Sequence, residues 1–212
     1  MMRTISVCAL MLVAGVNLTA ADKVEKGFKS LWNGKDFTDW KKAAENEDTF
    51  TIKDGAIVAK GPRAHLYYVG KVGKHDFKDF ELKVDCMTLP VSNGGIYFHT
   101  AYQEKSWPDK GFEVQVNNSH GDWRRTGGLY AVADQKEKLA EDGKWFTEHI
   151  IVKGNTVKIY VDGKLSSEWT QPEGWVHPQF KDRKLSSGTF ALQGHDPKST
   201  VMYKNIRVKI LK

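Results

Sequence analysis

Hydrophobic and polar residues alternate in short runs along most of the chain. After Asp22 almost no stretch repeats its apolar positions at the spacing of an amphipathic helix. Runs of this kind predict strands over Phe50–Lys53, Ala56–Ala59, Phe80–Thr88, Gly95–Thr100, Gly111–Asn117, Gly128–Val132, Phe146–Lys153, Thr156–Val161, Lys164–Trp169, Thr189–Gln193 and Met202–Leu211. Asp54-Gly55, Gly154-Asn155 and Asp162-Gly163 lie between neighbouring runs and supply residues that enter left-handed backbone at little cost, so these runs close as hairpins. About eleven strands in one meandering chain point to an all-β fold of two sheets packed face to face. Gln135–Asp142 is read as a short helix or mobile loop. No repeat, low-complexity linker or break in composition divides residues 22–212, which are read as a single domain.

The first residues break this pattern. One positive charge, Arg3, precedes an apolar run from Ile5 to Val16, and small residues follow at Thr19, Ala20 and Ala21. This is the layout of a secretory signal peptide over residues 1–21, with cleavage after Ala20 or Ala21. A run of about 12 apolar residues falls short of the roughly 20 that span a bilayer, so the expectation is periplasmic or secreted protein without a stable membrane anchor. Cys8 lacks the small residues that precede a lipidated cysteine, and Cys86, left alone once the leader is removed, is read as a small buried hydrophobe. With 40% hydrophobic and 27% charged residues the chain is globular rather than disordered. A net charge of +6 raises the question of nucleic acid, but the 26 lysines and 6 arginines are interleaved with acids and do not form the dense patch that tracks phosphates. No nucleic-acid partner is expected.

Candidate chemistry comes from the strand faces. In Gly111-Phe-Glu-Val-Gln-Val-Asn117, alternation puts Phe112, Val114 and Val116 on one face and Glu113, Gln115 and Asn117 on the other. The same rule pairs Tyr97 with His99 and Gln193 with His195. One reading is a solvated outer face. The other is a polar surface of amides, carboxylate, phenol and imidazole suited to sugar hydroxyls, with Trp107, Trp123, Tyr67, Tyr97 and Tyr130 as aromatic partners for a pyranose ring. The loops Tyr102–Lys110 and Ser119–Gly127 interrupt the sheet where ligand-binding segments are expected. Trp32, Trp40, Trp145 and Trp169 are assigned to packing, and His65, His75, His120, His149 and His177 to surface or structural roles.

Several segments, in order, carry a family resemblance: Gly27-Phe-Lys-Ser-Leu-Trp-Asn-Gly-Lys-Asp-Phe-Thr-Asp-Trp40, Asp79-Phe-Glu-Leu-Lys, Asn93-Gly-Gly-Ile-Tyr-Phe, Gly111-Phe-Glu-Val-Gln-Val, Thr126-Gly-Gly-Leu-Tyr, Leu192-Gln-Gly-His195 and Tyr203-Lys-Asn-Ile-Arg-Val. Together they resemble the bacterial 3-keto-disaccharide hydrolase family over essentially all of residues 27–211. The resemblance implies a concanavalin A-like jelly-roll β-sandwich, export, and cleavage of glycosides whose glucose unit has been oxidised at C3. Laminarinase-type glucanases of similar fold carry Glu-x-Asp-x-x-Glu on one strand, whereas this chain reads Glu113-Val-Gln115-Val-Asn-Asn118. That strand lacks the carboxylates for double displacement. A ketone at C3 removes the need for them, because it acidifies the C2 proton. One base can then abstract that proton, a donor can hold the enolate oxygen, and the C1 substituent leaves; addition of water completes a net hydrolysis.

On this resemblance His195, matching the family's Gln-x-His pattern, is the first choice for base or metal ligand, and Glu113 is the alternative base. Gln193, Gln115 and Tyr130 are sugar or oxyanion partners, and Tyr97, His99, Asn117, Trp107, Trp123 and Tyr67 complete the substrate surface. No cofactor is assigned, and a divalent metal held by His99, Glu113 and His195 is a candidate. The chain departs from the family pattern at His99, where Arg is commoner, at Gly194, where an acid is commoner, and at Phe146. A non-catalytic carbohydrate-binding module of the same fold is the alternative function.

Overall fold

The structure, a computed structural model, describes residues 25–212; the expected leader lies outside the described residues. Fifteen strands appear among them. They are β1 (Lys29–Ser30), β2 (Trp40–Lys42), β3 (Phe50–Lys53), β4 (Ala56–Ala59), β5 (Ala64–Tyr68), β6 (Phe80–Thr88), β7 (Gly94–Thr100) and β8 (Phe112–Val116). The remainder are β9 (Arg125–Leu129), β10 (Ala133–Gln135), β11 (Phe146–Lys153), β12 (Thr156–Val161), β13 (Lys164–Thr170), β14 (Thr189–Gly194) and β15 (Val201–Ile210). The back sheet has the order β13-β12-β11-β6-β15-β4-β3, with β1 also on β15, and the front sheet β10-β9-β8-β7-β14-β5-β2. Neighbouring strands within each sheet run antiparallel.

Back-sheet strands have one buried face, and they show it as strict alternation. Along β6, Phe80, Leu82, Val84 and Cys86 point inward while the residues between them are half-buried. Ile150 and Val152 of β11 and Ile159 of β12 continue that inner face. Front-sheet strands supply the opposing surface: Leu66, Ile96, Phe98, Phe112, Val114, Phe190 and Leu192 belong to the same core. Rings interlock across it, with Phe77 stacked on Phe190 at 4.4 Å and Phe98 on Phe112 at 5.6 Å. Each such side chain contributes roughly 1.5–3 kcal/mol by leaving water.

The centre of the front sheet is buried on both faces. Every residue of β5, β7, β8 and β14 is buried, because loops cover the side that faces away from the core. Ala64–Tyr68 escaped the sequence reading because its outward residues, His65 and Tyr67, are rings and not the amides and carboxylate that mark the outward face of β8. The short strands β1, β2 and β10 were missed as well. The expected strand Gly128–Val132 is instead the end of β9 and a turn at Tyr130-Ala131, where Ala131 takes φ 58°. Gln135–Asp142 forms no helix; it leaves β10 as turns and bends. Trp145 is 37% exposed under the Lys204 ammonium, 4.1 Å from the ring centroid, rather than packed inside.

One core residue is a carboxylic acid. Glu148 lies on the inner face of β11, fully buried, with Oε1 accepting from the Gly127 N–H at 3.1 Å and Oε2 unpartnered. Burial pushes its carboxyl well above the ordinary carboxylate range, against the weaker pull of the Gly127 hydrogen bond. A pKa raised by folding contributes stability below the unfolded value, about 4.3, and that stability is lost as pH climbs toward the folded one. The isosteric Glu148→Gln variant is therefore expected to melt several degrees above wild type at pH 8 and to flatten the fall in Tm above pH 4. Parallel pH profiles for the two proteins would rule this account out.

Candidate functional site

The loop-covered face of the front sheet holds a cavity of about 170 Å³. Its floor comes from three adjacent strands in register: Tyr97 of β7 lies opposite Glu113 of β8 and Ala191 of β14, and Gln115 and Gln193 lie alongside. Alternation directs these side chains outward while Phe98, Val114 and Leu192 go to the core. Gly95 makes room for them. A Cβ on that residue would sit 2.6 Å from Glu113 Oε1. Gly194 lies on the other face, where a Cβ would meet Thr49 Cγ2 at 2.4 Å, so a larger residue there would have to displace Thr49.

Glu113 is held from both sides. Its Oε2 accepts from the Tyr97 hydroxyl at 2.7 Å and its Oε1 from the Gln193 amide at 2.9 Å. Burial pushes the Glu113 carboxyl up, opposed by those hydrogen bonds and by the charges of Arg183 and His195. The Tyr97 phenol is driven well above its usual value, first by burial and then by the neighbouring Glu113 charge. Gln115 donates to Asn93 Oδ1 at 3.0 Å, which leaves its own Oε1, like that of Gln193, without a partner.

His195 stands half-buried at the cavity edge, its ring centroid 5.5 Å from that of Trp107. Its Nδ1 lies 2.8 Å from Asp196 Oδ2, which also accepts from Ser199 Oγ at 2.6 Å. Partial burial works against the Asp196 anion, yet the Ser199, His195 and Lys198 hydrogen bonds hold its pKa at about 2. An ionised carboxylate only accepts, so Nδ1–H donates to Asp196, and in the neutral ring the lone pair lies on Nε2. His195 and Glu113 thus face one cavity rather than opposite sides of the sandwich.

Loops build the walls. Trp107 is set by Gln103, whose amide donates to its carbonyl, and by Glu45, which accepts from Ser106 N and pairs with Arg63. Buried His65 packs edge-on to Tyr97 and Trp107 at 5.4 and 5.7 Å, and burial lowers its pKa to about 3, so it stays neutral. Asp122, Tyr130, Phe180 and Arg183 complete the lining.

Four expected site residues are placed elsewhere. His99 should have joined Tyr97, but the β7–β14 register slips by one residue there and His99 adopts φ 54°. Its ring turns away, with Nε2 donating to the Lys78 carbonyl at 2.8 Å and Nδ1 accepting from Ser186 N at 3.2 Å, so the His99–Glu113–His195 metal set does not form. Asn117 is a loop clamp: its amide donates to the carbonyls of Asp122 and Arg124 and accepts from His120 N. Tyr67 is buried behind the cavity among Ala43, Tyr97, Ala191 and Tyr102. Trp123 lies outside, 48% exposed between the cations of Arg124 and Lys136.

Sequence reasoning missed Arg183, Asp122, Asn93, Phe180, His120 and Asp196. Asp196 adjoins His195, and His120 follows the polar strand, so each had a neighbour that signalled it; Arg183 had none. His120, His195 and Asp196 have ligand atoms within 4.8 Å of one another, and two imidazoles with a carboxylate are a donor set that divalent transition metals accept.

A β-sandwich with a polar, aromatic-walled cavity on one sheet is the architecture of carbohydrate-active proteins, and solved structures agree. A candidate glycosyl hydrolase from Parabacteroides distasonis ATCC 8503 is 25% identical, with 88% of this chain and 94% of that chain covered and a TM-score of 0.73. A non-specific endo-β-1,3(4)-glucanase of family GH16 (12% identity, 87% and 92% covered, TM-score 0.59) shares the fold. So does carbohydrate binding module CBM66 of Bacillus subtilis (14%, 81% and 96%, 0.57). The fold is thus the concanavalin A-like jelly roll. Residues 27–209 match the 3-keto-alpha-glucoside-1,2-lyase-like domain, the 3-keto-disaccharide hydrolase family, and the chain belongs to it. No curated protein matches it.

The clamp role of Asn117 is open to test. Asn117→Ala is expected to cost roughly 1–3 kcal/mol of stability by leaving buried partners unpaired. Amide exchange should accelerate in residues 119–125 but not in β6 or β11. Uniform acceleration across the protein, or none, would show that the side chain does not hold the loop.

Proposed function

We propose that the cavity cleaves 3-keto-glycosides by eliminating the C1 substituent and then hydrating the product, net hydrolysis. The observation that carries this reading is the meeting of two proton-transfer groups in different environments: the Asp196-held His195 and the buried, upshifted Glu113. Nε2 of His195 takes the C2 proton. Glu113 gives a proton to the departing glycosidic oxygen. Gln115 Oε1 and Gln193 Oε1, unpartnered in the cavity wall, accept from sugar hydroxyls, and Trp107 and Tyr130 flank the ring. The leader over residues 1–21 would deliver the enzyme outside the cytoplasm, where an oxidised saccharide is its partner. If a divalent ion takes part, His120, His195 and Asp196 would hold it.

A conventional hydrolase reading needs a second carboxylate, and Asp122 is the one available at this cavity. It is already engaged, accepting from Arg124 N at 3.0 Å with the Arg124 guanidinium 3.6 Å away. The binding-module reading shares the cavity but gives the His195–Asp196 pair no task.

The test incubates the purified protein with p-nitrophenyl 3-keto-glucosides and their unoxidised counterparts. Release of nitrophenol from the ketosides alone is expected, with His195→Ala slower by at least about 100-fold and Asp122→Asn within a few-fold of wild type. Equal rates on unoxidised glucosides would replace this mechanism with the two-carboxylate one. Saturable binding without turnover would make the protein a module.

A further inference from the structure

The segment between β13 and β14 lays Phe180 and Arg183 against the cavity. Arg183 is 2% exposed, yet its Nε and Nη1 have no hydrogen-bond partner, and no ion pair to it occurs among the described residues. Aromatic rings cover its planar faces, with Phe180 3.9 Å and Tyr130 6.0 Å from the guanidinium carbon. The N–H groups at its edge are left for a ligand. A buried charge without a counter-ion is unfavourable unless something anionic completes it.

Glu113 does not complete it. Burial raises the Glu113 pKa more than Arg183 lowers it, and the carboxyl takes its hydrogen bonds from Tyr97 and Gln193 instead. The guanidinium is also held in advance of any ligand. His177 Nδ1 accepts from the amides of Gln179 and Phe180, Gln171 accepts from Leu185 N, and the displaced His99 accepts from Ser186 N. Fixed donors in a water-poor cavity are most effective where charge develops during reaction.

The geometry points to Arg183 as the catalytic residue that receives the negative charge formed on the substrate, its guanidinium edge donating to the C3 oxygen. This deepens the proposed function and rests on it. As the C2–H bond breaks, the proton goes to His195 Nε2 and the electron pair forms C2=C3, turning the C3 carbonyl into an enolate beside Arg183. The pair then returns: C3=O re-forms, C1=C2 forms, and the C1–O bond breaks with a proton from Glu113 passing to the leaving oxygen. Water then adds across C1=C2, hydroxyl to C1 and hydrogen to C2, which releases the free 3-keto sugar.

A permanent carboxylate on an acidic sugar would present the same chemistry to Arg183, and kinetics separate the two sources. With a p-nitrophenyl 3-keto-glucoside, Arg183→Ala is expected to lower kcat by about 100- to 1,000-fold while KM changes less than about threefold, with Arg183→Lys intermediate. Deuterium at C2 should slow the variants more than wild type. A loss confined to KM, or restored selectively by a 3-keto-glucuronide, would assign Arg183 to ground-state binding and overturn the proposal. A binding titration with kojic acid, a ring carrying an enol beside a carbonyl, needs no turnover and should be at least about tenfold weaker in a folded Arg183→Ala protein; unchanged affinity would also overturn it. Wild-type turnover with kcat indifferent to Arg183 sinks this inference alone. Failure of wild type to cleave any 3-keto-glucoside sinks it together with the functional reading.

Discussion

Burying a carboxylate on a sheet that is covered on both sides is the constraint from which the rest of this site follows. Glu113 is shielded from water by the strands around it and by the loops above, and an isolated anion there would be strongly unfavourable. The Tyr97 hydroxyl and the Gln193 amide meet it, and neither could do so unless β7, β8 and β14 were locked in register. Register in turn depends on the apolar side. A slip of one residue would send Phe98, Val114 and Leu192 outward and the polar trio into the core. The hydrophobic sandwich and the polar site are thus two consequences of one pairing.

The covering loops are built to stay in place. Asn117 clamps the stretch that brings Asp122 to the cavity, and Glu45 with Gln103 sets the stretch that carries Trp107. His99 and His177 pin the segment that carries Arg183. Histidines buried as neutral rings recur here. Burial pulls His99 down to about 4 and His65 to about 3, so their rings remain uncharged, while His195 stands half-exposed beside Asp196. The rigid surround fixes in advance the few groups that face the cavity.

Departures from the family pattern acquire physical reasons in this frame. A side chain at Gly194 would have to displace the Thr49 methyl, and the neighbouring Asp196 is the acid that reaches His195. His99 stands where Arg is commoner, and its ring serves the Arg183 segment instead of the cavity. Phe146 packs into the core, opposite Cys86 in the β11–β6 pairing.

The sequence by itself determined the sheets and the outward polar faces of the site strands. Period-two alternation follows from the pleat of the backbone, so Glu113, Gln115, Tyr97 and Gln193 could be assigned to one surface from local order alone. It also carried His195 through its pattern. Tertiary structure decided what local order cannot hold: the bulge that removed His99, and the loop paths that brought Arg183 and Asp122 to the cavity and His120 to the side of His195. The physical reason is that loops are placed by long-range hydrogen bonds and packing, and these leave no periodic trace in sequence.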